Sequence, residues 1–311
     1  MSALICGSFA YDTIMVFPDQ FKNHILPDKV HMLNVAFLVP ELRREFGGCA
    51  GNIAYNLKLL GDEPFAMGTV GDDFSPYADW MDKQGISRQH VHAKSGQYTA
   101  QAFITTDMDD NQITAFHPGA MNLAHETTIS EASDIKLAII APDGRDGMIQ
   151  HAQQLTDAGI PFIFDPGQGL PMFDGADLIK FAQQATYITL NDYEAQLFQD
   201  RTGLTAQEIA NHVEALIITR GSEGSYIYAD GQRIDIPCAQ AEQVVDPTGC
   251  GDAYRAGLIH GILHDKDGET TGRIASLLGA IKIAQHGTQN HNFTPAEFAQ
   301  AYAKDYGISI T

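Results

Sequence analysis

The residues best suited to chemistry lie in one run, Val244-Val245-Asp246-Pro247-Thr248-Gly249-Cys250-Gly251-Asp252-Ala253-Tyr254-Arg255-Ala256-Gly257. An apolar extended segment stops at Asp246-Pro247. Two glycines flank a small residue, a lone carboxylate follows, and a helix-like run begins. Free backbone N–H groups at a helix N-terminus, helped by the helix dipole, attract anions. A carboxylate beside them would repel phosphate. Its natural work there is to take a proton from a group that attacks the phosphate. In isolation Asp252 would read only as a helix-cap acid, so the other segments matter.

Four segments add to it. In Phe46-Gly47-Gly48-Cys49-Ala50-Gly51-Asn52, two glycines let backbone approach a ligand closely, and Asn52 offers both a donor and an acceptor to a hydroxyl-bearing molecule such as a sugar. In Gly7-Ser8-Phe9-Ala10-Tyr11-Asp12, the carboxylate follows the first strand at the end where open α/β sheets bind ligands, and it can accept two hydroxyl hydrogen bonds. In Asn191-Asp192-Tyr193-Glu194, Asn191 and Glu194 sit on one side of a helical turn, where Glu194 suits magnesium-bound water and the pair also reads as a capping box. Thr219-Arg220-Gly221-Ser222-Glu223-Gly224 ends a strand in a glycine loop fit to hug something flat or anionic, or to make an ordinary turn. No G-x-x-x-x-G-K-[ST] occurs, and Tyr254 stands where a dinucleotide fingerprint needs glycine.

The elements that must position these residues follow from periodicity. Leu4–Gly7 and Pro64–Val70 read as strands, with helices ending at Gly61 and near Gly85. From Lys136 onward, short apolar strands (136–141, 161–164, 187–190, 215–219) alternate with helical segments, one of which closes at Gly159. Short all-apolar strands spaced by helices predict a mostly parallel sheet covered on both faces, a three-layer α/β/α core. Helices are predicted over 253–264, 271–285 and 295–306, the last from its Thr294-Pro295-Ala296-Glu297 start. Two excursions, about 13–46 and 97–117, break the rhythm. The second reads as a hairpin around the acidic turn Asp107–Asn111, and together they predict a small β lid on one α/β domain spanning 1–311.

Composition narrows the class. The chain has 311 residues, 44% hydrophobic, and a formal net charge of −20. That charge argues against nucleic acid as partner but leaves room for a small phosphorylated ligand. No apolar run reaches membrane-spanning length, and the start lacks the basic region of a signal peptide. Cys6, Cys49, Cys238 and Cys250 include no C-x-x-C pair, which fits free thiols in a reducing cytoplasm. His260 and His264 are spaced as a ligand pair on a helix, yet without an H-E-x-x-H they read first as surface or core histidines.

In their order along the chain, these motifs resemble the ribokinase-like superfamily, the PfkB carbohydrate kinases, most specifically through the Asp-x-x-Gly-x-Gly-Asp run ending at Asp252. The resemblance implies a ribokinase-like fold and an ATP- and Mg²⁺-dependent kinase of an alcohol group. It makes Asp252 the base and the Gly249, Cys250 and Gly251 amides the anion hole. It places Asp12, Gly47, Gly48 and Asn52 around the acceptor, Asn191, Thr219, Gly221 and Gly224 on the ATP side, and Glu194 near the metal through water. Some members use a monovalent cation near the positions of Asp246 and Thr248, a question that stays open for this chain. The stretches 34–48 and 116–121 are similar to the lid of nucleoside and adenosine kinases, and Phe37, Phe103, Phe116 and Met121 are apolar enough to meet a purine. The expected acceptor is a nucleoside 5′-hydroxyl, adenosine first or a broad set of nucleosides. A ribokinase- or fructokinase-like sugar kinase is the alternative, and a non-catalytic nucleotide sensor is the reading from another class. A homodimer through the lid is also expected.

Overall fold

The computed structural model describes residues 2–25, 34–109 and 111–310. Residues 26–33 of the first predicted excursion and Asp110 of the predicted acidic turn lie outside the described residues. The chain opens with β1 (Ser2–Cys6), β2 (Ala10–Val16), β3 (Glu41–Gly47), α1 (Cys49–Leu59), β4 (Glu63–Val70), α2 (Ser75–Gln84), β5 (Ser87–Ala93), β6 (Ala100–Thr106) and β7 (Gln112–His117). Strand and helix then alternate through β8 (Leu137–Ile140), α3 (Arg145–Ala158), β9 (Phe162–Phe164), α4 (Gly175–Gln184), β10 (Tyr187–Asn191), α5 (Asp192–Thr202), α6 (Ala206–Ala210) and β11 (Ala215–Thr219). The hairpin β12 (Ser225–Ala229) and β13 (Gln232–Ile236) precedes α7 (Cys250–Leu263), α8 (Gly268–Ile283) and α9 (Pro295–Tyr306).

Among the described residues the strands form two sheets. The larger has nine strands in the order β13-β12-β11-β10-β9-β8-β1-β4-β5, and the smaller has four in the order β3-β2-β6-β7. Pairings from β5 across to β11 are parallel, and β12 and β13 extend the edge antiparallel. Successive residues of a strand point to opposite faces, so both faces of these apolar strands need cover. On one face Ala3, Ile5 and Ile139 pack with Ile53 and Leu57 of α1, Ile259 of α7 and Leu278 of α8. On the other, Leu4, Cys6 and Ile140 pack with Met148 of α3, Phe181 of α4 and Phe198 of α5. The three-layer α/β/α arrangement with a small second sheet is thus the predicted one. Among the described residues no helix is long and apolar enough to cross a membrane.

The smaller sheet departs from the predicted boundaries. It begins at Ala10, ahead of the predicted start near residue 13, so Asp12 lies within β2 and pairs with Glu45 of β3. β6 and β7 form the expected hairpin, closed by the buried carboxylate of Asp107. Its Oδ1 accepts from the backbone N–H groups of Asp109 and Asn111 at 2.9 Å each, and its Oδ2 accepts from the Phe21 N–H at 2.9 Å. β5, β12 and β13 escaped the sequence reading, because their polar, half-exposed residues lack the all-apolar signature of the central strands.

Helices α7 and α8 approach each other through glycine. A methyl group added at Gly257 would stand 2.4 Å from the Ala275 Cα, inside any allowed contact. Alanine is the better helix former by about 1 kcal/mol. Overpacking costs about 1–3 kcal/mol where neighbours can shift, and here the neighbour is backbone. Gly257→Ala is therefore expected to lower the midpoint of thermal unfolding despite its higher helix propensity, as measured by circular dichroism melting.

Candidate active site

The loop after β13 turns into α7 at Gly249, whose φ of 79° lies in the left-handed region that favours glycine. A side chain there would also meet the Thr288 Cγ2 at 2.9 Å. No side chain caps this helix end, so its first-turn N–H groups face outward to an anion. The Cys250 N–H donates to the Pro247 carbonyl at 3.1 Å. Of the three amides predicted for an anion hole, that leaves those of Gly249 and Gly251. Asp246 braces the loop from behind. Its Oδ1 accepts from the Thr248 N–H and its Oδ2 from the Gly287 N–H, each at 2.9 Å. Burial alone would raise its pKa, but these bonds outweigh burial and hold it below the ordinary value.

Asp252 sits on the first turn of α7, and its Oδ2 accepts from the Asn52 Nδ2 at 2.8 Å. Three residues that the sequence reading missed stand behind that bond. The Trp80 Nε1 donates to the Gln289 Oε1 at 2.9 Å, and the Gln289 Nε2 donates to the Asn52 Oδ1 at 2.9 Å. An indole N–H is a donor only. It therefore fixes which end of the Gln289 amide is oxygen, which in turn fixes the Asn52 amide with its NH₂ toward Asp252. Gln289 Nε2 also donates to the Tyr77 hydroxyl at 2.6 Å, and that hydroxyl donates to the Gly47 carbonyl at 2.9 Å. Gly51 leaves the space for it: a Cβ there would lie 1.9 Å from the Tyr77 Oη.

Asp12 reaches the site from the smaller sheet. Its Oδ2 would be 2.6 Å from a Cβ on Gly47, so the carboxylate lies over that glycine. Gly48, at φ 85°, starts α1 against the backbone of Ser8, Phe9 and Ala10. Burial, then the charges of Asp252, Glu45 and Asp246, push Asp12 up to about 6. Burial likewise pushes Asp252 up to about 6, with the Asn52 hydrogen bond pulling down, Asp165 pushing up and Arg255 pulling down. A carboxylate with that value is ionised at neutral pH and basic enough to accept a proton.

Beneath Asp252, the buried Arg255 guanidinium donates to both oxygens of Asp165, each at 3.0 Å, and lies 4.0 Å from the Glu194 carboxylate. Asp165 was not read from the sequence, where it is one acid after a short strand. Asn191 and Glu194 form the capping box of α5. The Glu194 N–H donates to the Asn191 Oδ1 at 2.7 Å, and the Asn191 N–H donates back to the Glu194 Oε2 at 2.8 Å. Burial, with Asp165 adding, raises the Glu194 pKa. Thr219 is the cross-strand partner of Asn191, which puts both at the C-terminal edge of the parallel sheet. Gly221 opens onto free space, whereas Gly224 packs against the Ile236 carbonyl and serves the turn itself.

The four apolar candidates separate. Phe37 packs with Phe17 and Phe21 at centroid distances of 4.7 and 5.0 Å, within the smaller sheet's own aromatic cluster. Met121 is half-buried in a 3₁₀ stretch, Gly119–Glu126. Ala102 pairs with both Asp12 and Phe116, so Phe116 shares the Asp12 face. Phe103, one residue further along β6, points to the opposite face. His260 and His264 converge on the buried Asp62 at 2.6 and 2.9 Å. These are hydrogen-bond distances, shorter than the roughly 3.3 Å between two ligands of a tetrahedral zinc. The cluster ties the end of α7 to the turn after α1.

A family model described as pfkB family carbohydrate kinase matches residues 11–295. A nucleoside kinase from Methanocaldococcus jannaschii is 30% identical over 261 residues, covering 83% of this chain and 85% of that protein. The structure of Burkholderia thailandensis nucleoside kinase in complex with inosine is 54% identical, with a TM-score of 0.91 and 99% of each chain covered. The structure of the same protein in complex with ADP-inosine is 56% identical, with a TM-score of 0.88, covering 99% of this chain and 97% of that one.

The amide chain makes a prediction about pH. Asp252, read as a general base, works ionised, so kcat/KM should fall as pH drops through the apparent pKa near 6 shared by Asp252 and Asp12. Gln289→Leu frees the Asn52 amide to turn its oxygen toward Asp252. Because the Asn52 bond lowers that pKa, the acid limb should move up in pH, and kcat should fall about tenfold to a hundredfold. A pH–rate profile of both proteins checks this, and an unshifted limb would mean that the chain is packing only.

Proposed function

Matched over residues 11–295, this chain belongs to the pfkB family of carbohydrate kinases, phosphotransferases with an alcohol acceptor, and from that premise we propose ATP-dependent phosphorylation of a nucleoside 5′-hydroxyl. The observation that carries the reading is the placement of Asp252 at an uncapped helix N-terminus, with Asp12 and Phe116 on one face of the smaller sheet. This supplies a base, an acceptor for a ribose diol and an aromatic surface for a nucleobase. The inosine complex of the 54% identical relative supports a purine nucleoside. Adenosine is the first acceptor expected, and a broad set of nucleosides is the alternative that the inosine complex favours.

In this reading Asp252 takes the proton of the 5′-hydroxyl as its oxygen attacks the γ-phosphorus, and ADP leaves. Asn52 holds the carboxylate in place. The Gly249 and Gly251 N–H groups receive the phosphoryl oxygens, a type of donor worth roughly 10²–10³ in kcat. Asp12 orients the sugar, with Gly47 and Gly48 letting it approach. Thr219 and Gly221 line the ATP side at the sheet edge. ATP with Mg²⁺ supplies the phosphoryl group and the cation that offsets its charge. Glu194 fits such a metal through water: its oxygens are bonded to Asn191 yet retain lone pairs. The smaller sheet acts as a lid that keeps out water, the competing acceptor. Cysteines that are all free suit a reducing cytoplasm.

The test is ADP release with Mg-ATP against adenosine, inosine, guanosine, cytidine, ribose and fructose. Nucleosides should turn over and ribose should not. Phe116→Ala should raise the nucleoside KM, and Asp252→Asn should lose roughly 10²–10⁴ in rate while still binding ATP. Turnover of ribose or fructose alone would replace this reading with a sugar kinase, and wild-type binding of ATP without turnover of any acceptor would leave a sensor.

The outer face of the smaller sheet carries Leu42 (64% exposed), Phe103 (42%) and Ile113 (45%), and we propose that a second copy of the chain docks there. Sedimentation equilibrium should give a dimer that Phe103→Glu breaks. A wild-type monomer at every concentration would end the idea.

A further inference from the structure

The loop that carries Gly249 is held by a cation that belongs to the chain. Lys282, on the last turn of α8, is 0% exposed. Its Nζ donates to the Asp246 carbonyl at 2.7 Å and to the Gln285 carbonyl at 3.2 Å. The same Asp246 binds Thr248 and Gly287 through its carboxylate, and the Val245 and Asp246 N–H groups donate to the Ile283 carbonyl at 2.9 and 3.1 Å. Two backbone carbonyls at a helix C-terminus therefore receive the ammonium group, with the Asp246 charge nearby, and each favours positive charge there. This is the neighbourhood, Asp246 and Thr248, where the family resemblance places the monovalent cation that some members use. A free ion does not fit in addition, since the ammonium group already uses the carbonyl oxygens and would repel it. Burial pulls the Lys282 pKa down while Asp246 holds it up.

We propose that the Lys282 ammonium is a tethered replacement for that monovalent cation, so that the anion-hole loop is organised without added K⁺ or Na⁺. The proposal rests on the kinase reading only for its activity assay; the cation site itself is tested by melting. Wild-type turnover should stay within about twofold when KCl is exchanged for NaCl or tetramethylammonium chloride at equal ionic strength, the remainder being screening. The melting temperature should also be the same in the three salts. Lys282→Met keeps the length of the side chain and removes its charge. It should melt lower and lose about tenfold in rate in tetramethylammonium, and regain both with K⁺ or NH₄⁺. Wild-type turnover or melting that requires K⁺ would overturn the proposal whether or not the variant folds, as would a Lys282→Met protein that works normally in tetramethylammonium. Salt-independent melting with no turnover of any acceptor in any salt would leave the tethered cation standing and count against the kinase reading instead.

Discussion

The structure depends on holding several buried or half-buried carboxylates together in one small volume. The charges of Asp252 and Asp246 raise the proton affinity of Asp12, and that of Asp165 raises those of Asp252 and Glu194. Left alone, such a cluster would protonate or spring apart, because burying unpaired carboxylates is costly. Two cations from within the fold hold it. Arg255 lies one turn below Asp252 and grips Asp165 with two parallel bonds, and Lys282 sits behind Asp246. Both are nearly or fully buried, so neither is free to leave with solvent ions. The helix dipole of α7 and its uncapped N–H groups add positive potential on the open side. The balance leaves Asp252 ionised at neutral pH while keeping it basic.

The second requirement is direction. A carboxylate poised to accept a proton must present a lone pair to the donor, and Asn52 fixes the Asp252 carboxylate by donating to its Oδ2. An amide alone could turn over and offer oxygen instead, which would repel the base. The donor-only indole of Trp80 removes the ambiguity two links away, through Gln289. The elements involved are far apart in sequence: α2, the segment before α9, α1 and α7. Packing of the core on that face of the larger sheet is what makes the chain of amides possible, since Tyr77 and Tyr55 wedge among the same helices.

Much of the fold was legible because its signals are local. All-apolar strands with helices between them announce a buried parallel sheet, and capping boxes such as Thr294 with Glu297 announce where helices start. The candidate site residues were legible because glycine and carboxylate spacing carries meaning by itself. The partners of those residues were not. Gln289, Trp80, Asp165 and Lys282 are ordinary polar residues in sequence, and their roles arise only from contacts with residues 36 to 237 positions away. Asp12 was read as an acid following the first strand, whereas it lies inside β2, whose sequence and burial do not alternate and so give no period-two signal. The aromatic candidates show the same limit. Phe103 and Phe116 looked alike until cross-strand pairing put them on opposite faces.

That separation gives Asp107 an importance its own position conceals. Side chains alternate along a strand, so a slip of β7 by one residue against β6 would exchange its inner and outer sets completely. Phe116 would leave the face it shares with Asp12 and a neighbour, Ala115 or His117, would replace it, while Ile113 would leave the opposite face. Nothing in the pleat itself forbids this in a ribbon with exposed edges. The buried Asp107 carboxylate does, by bonding both sides of the turn and the chain at Phe21 in one fixed geometry. One acid at the turn thus decides which residues of the hairpin share a face with Asp12 at all.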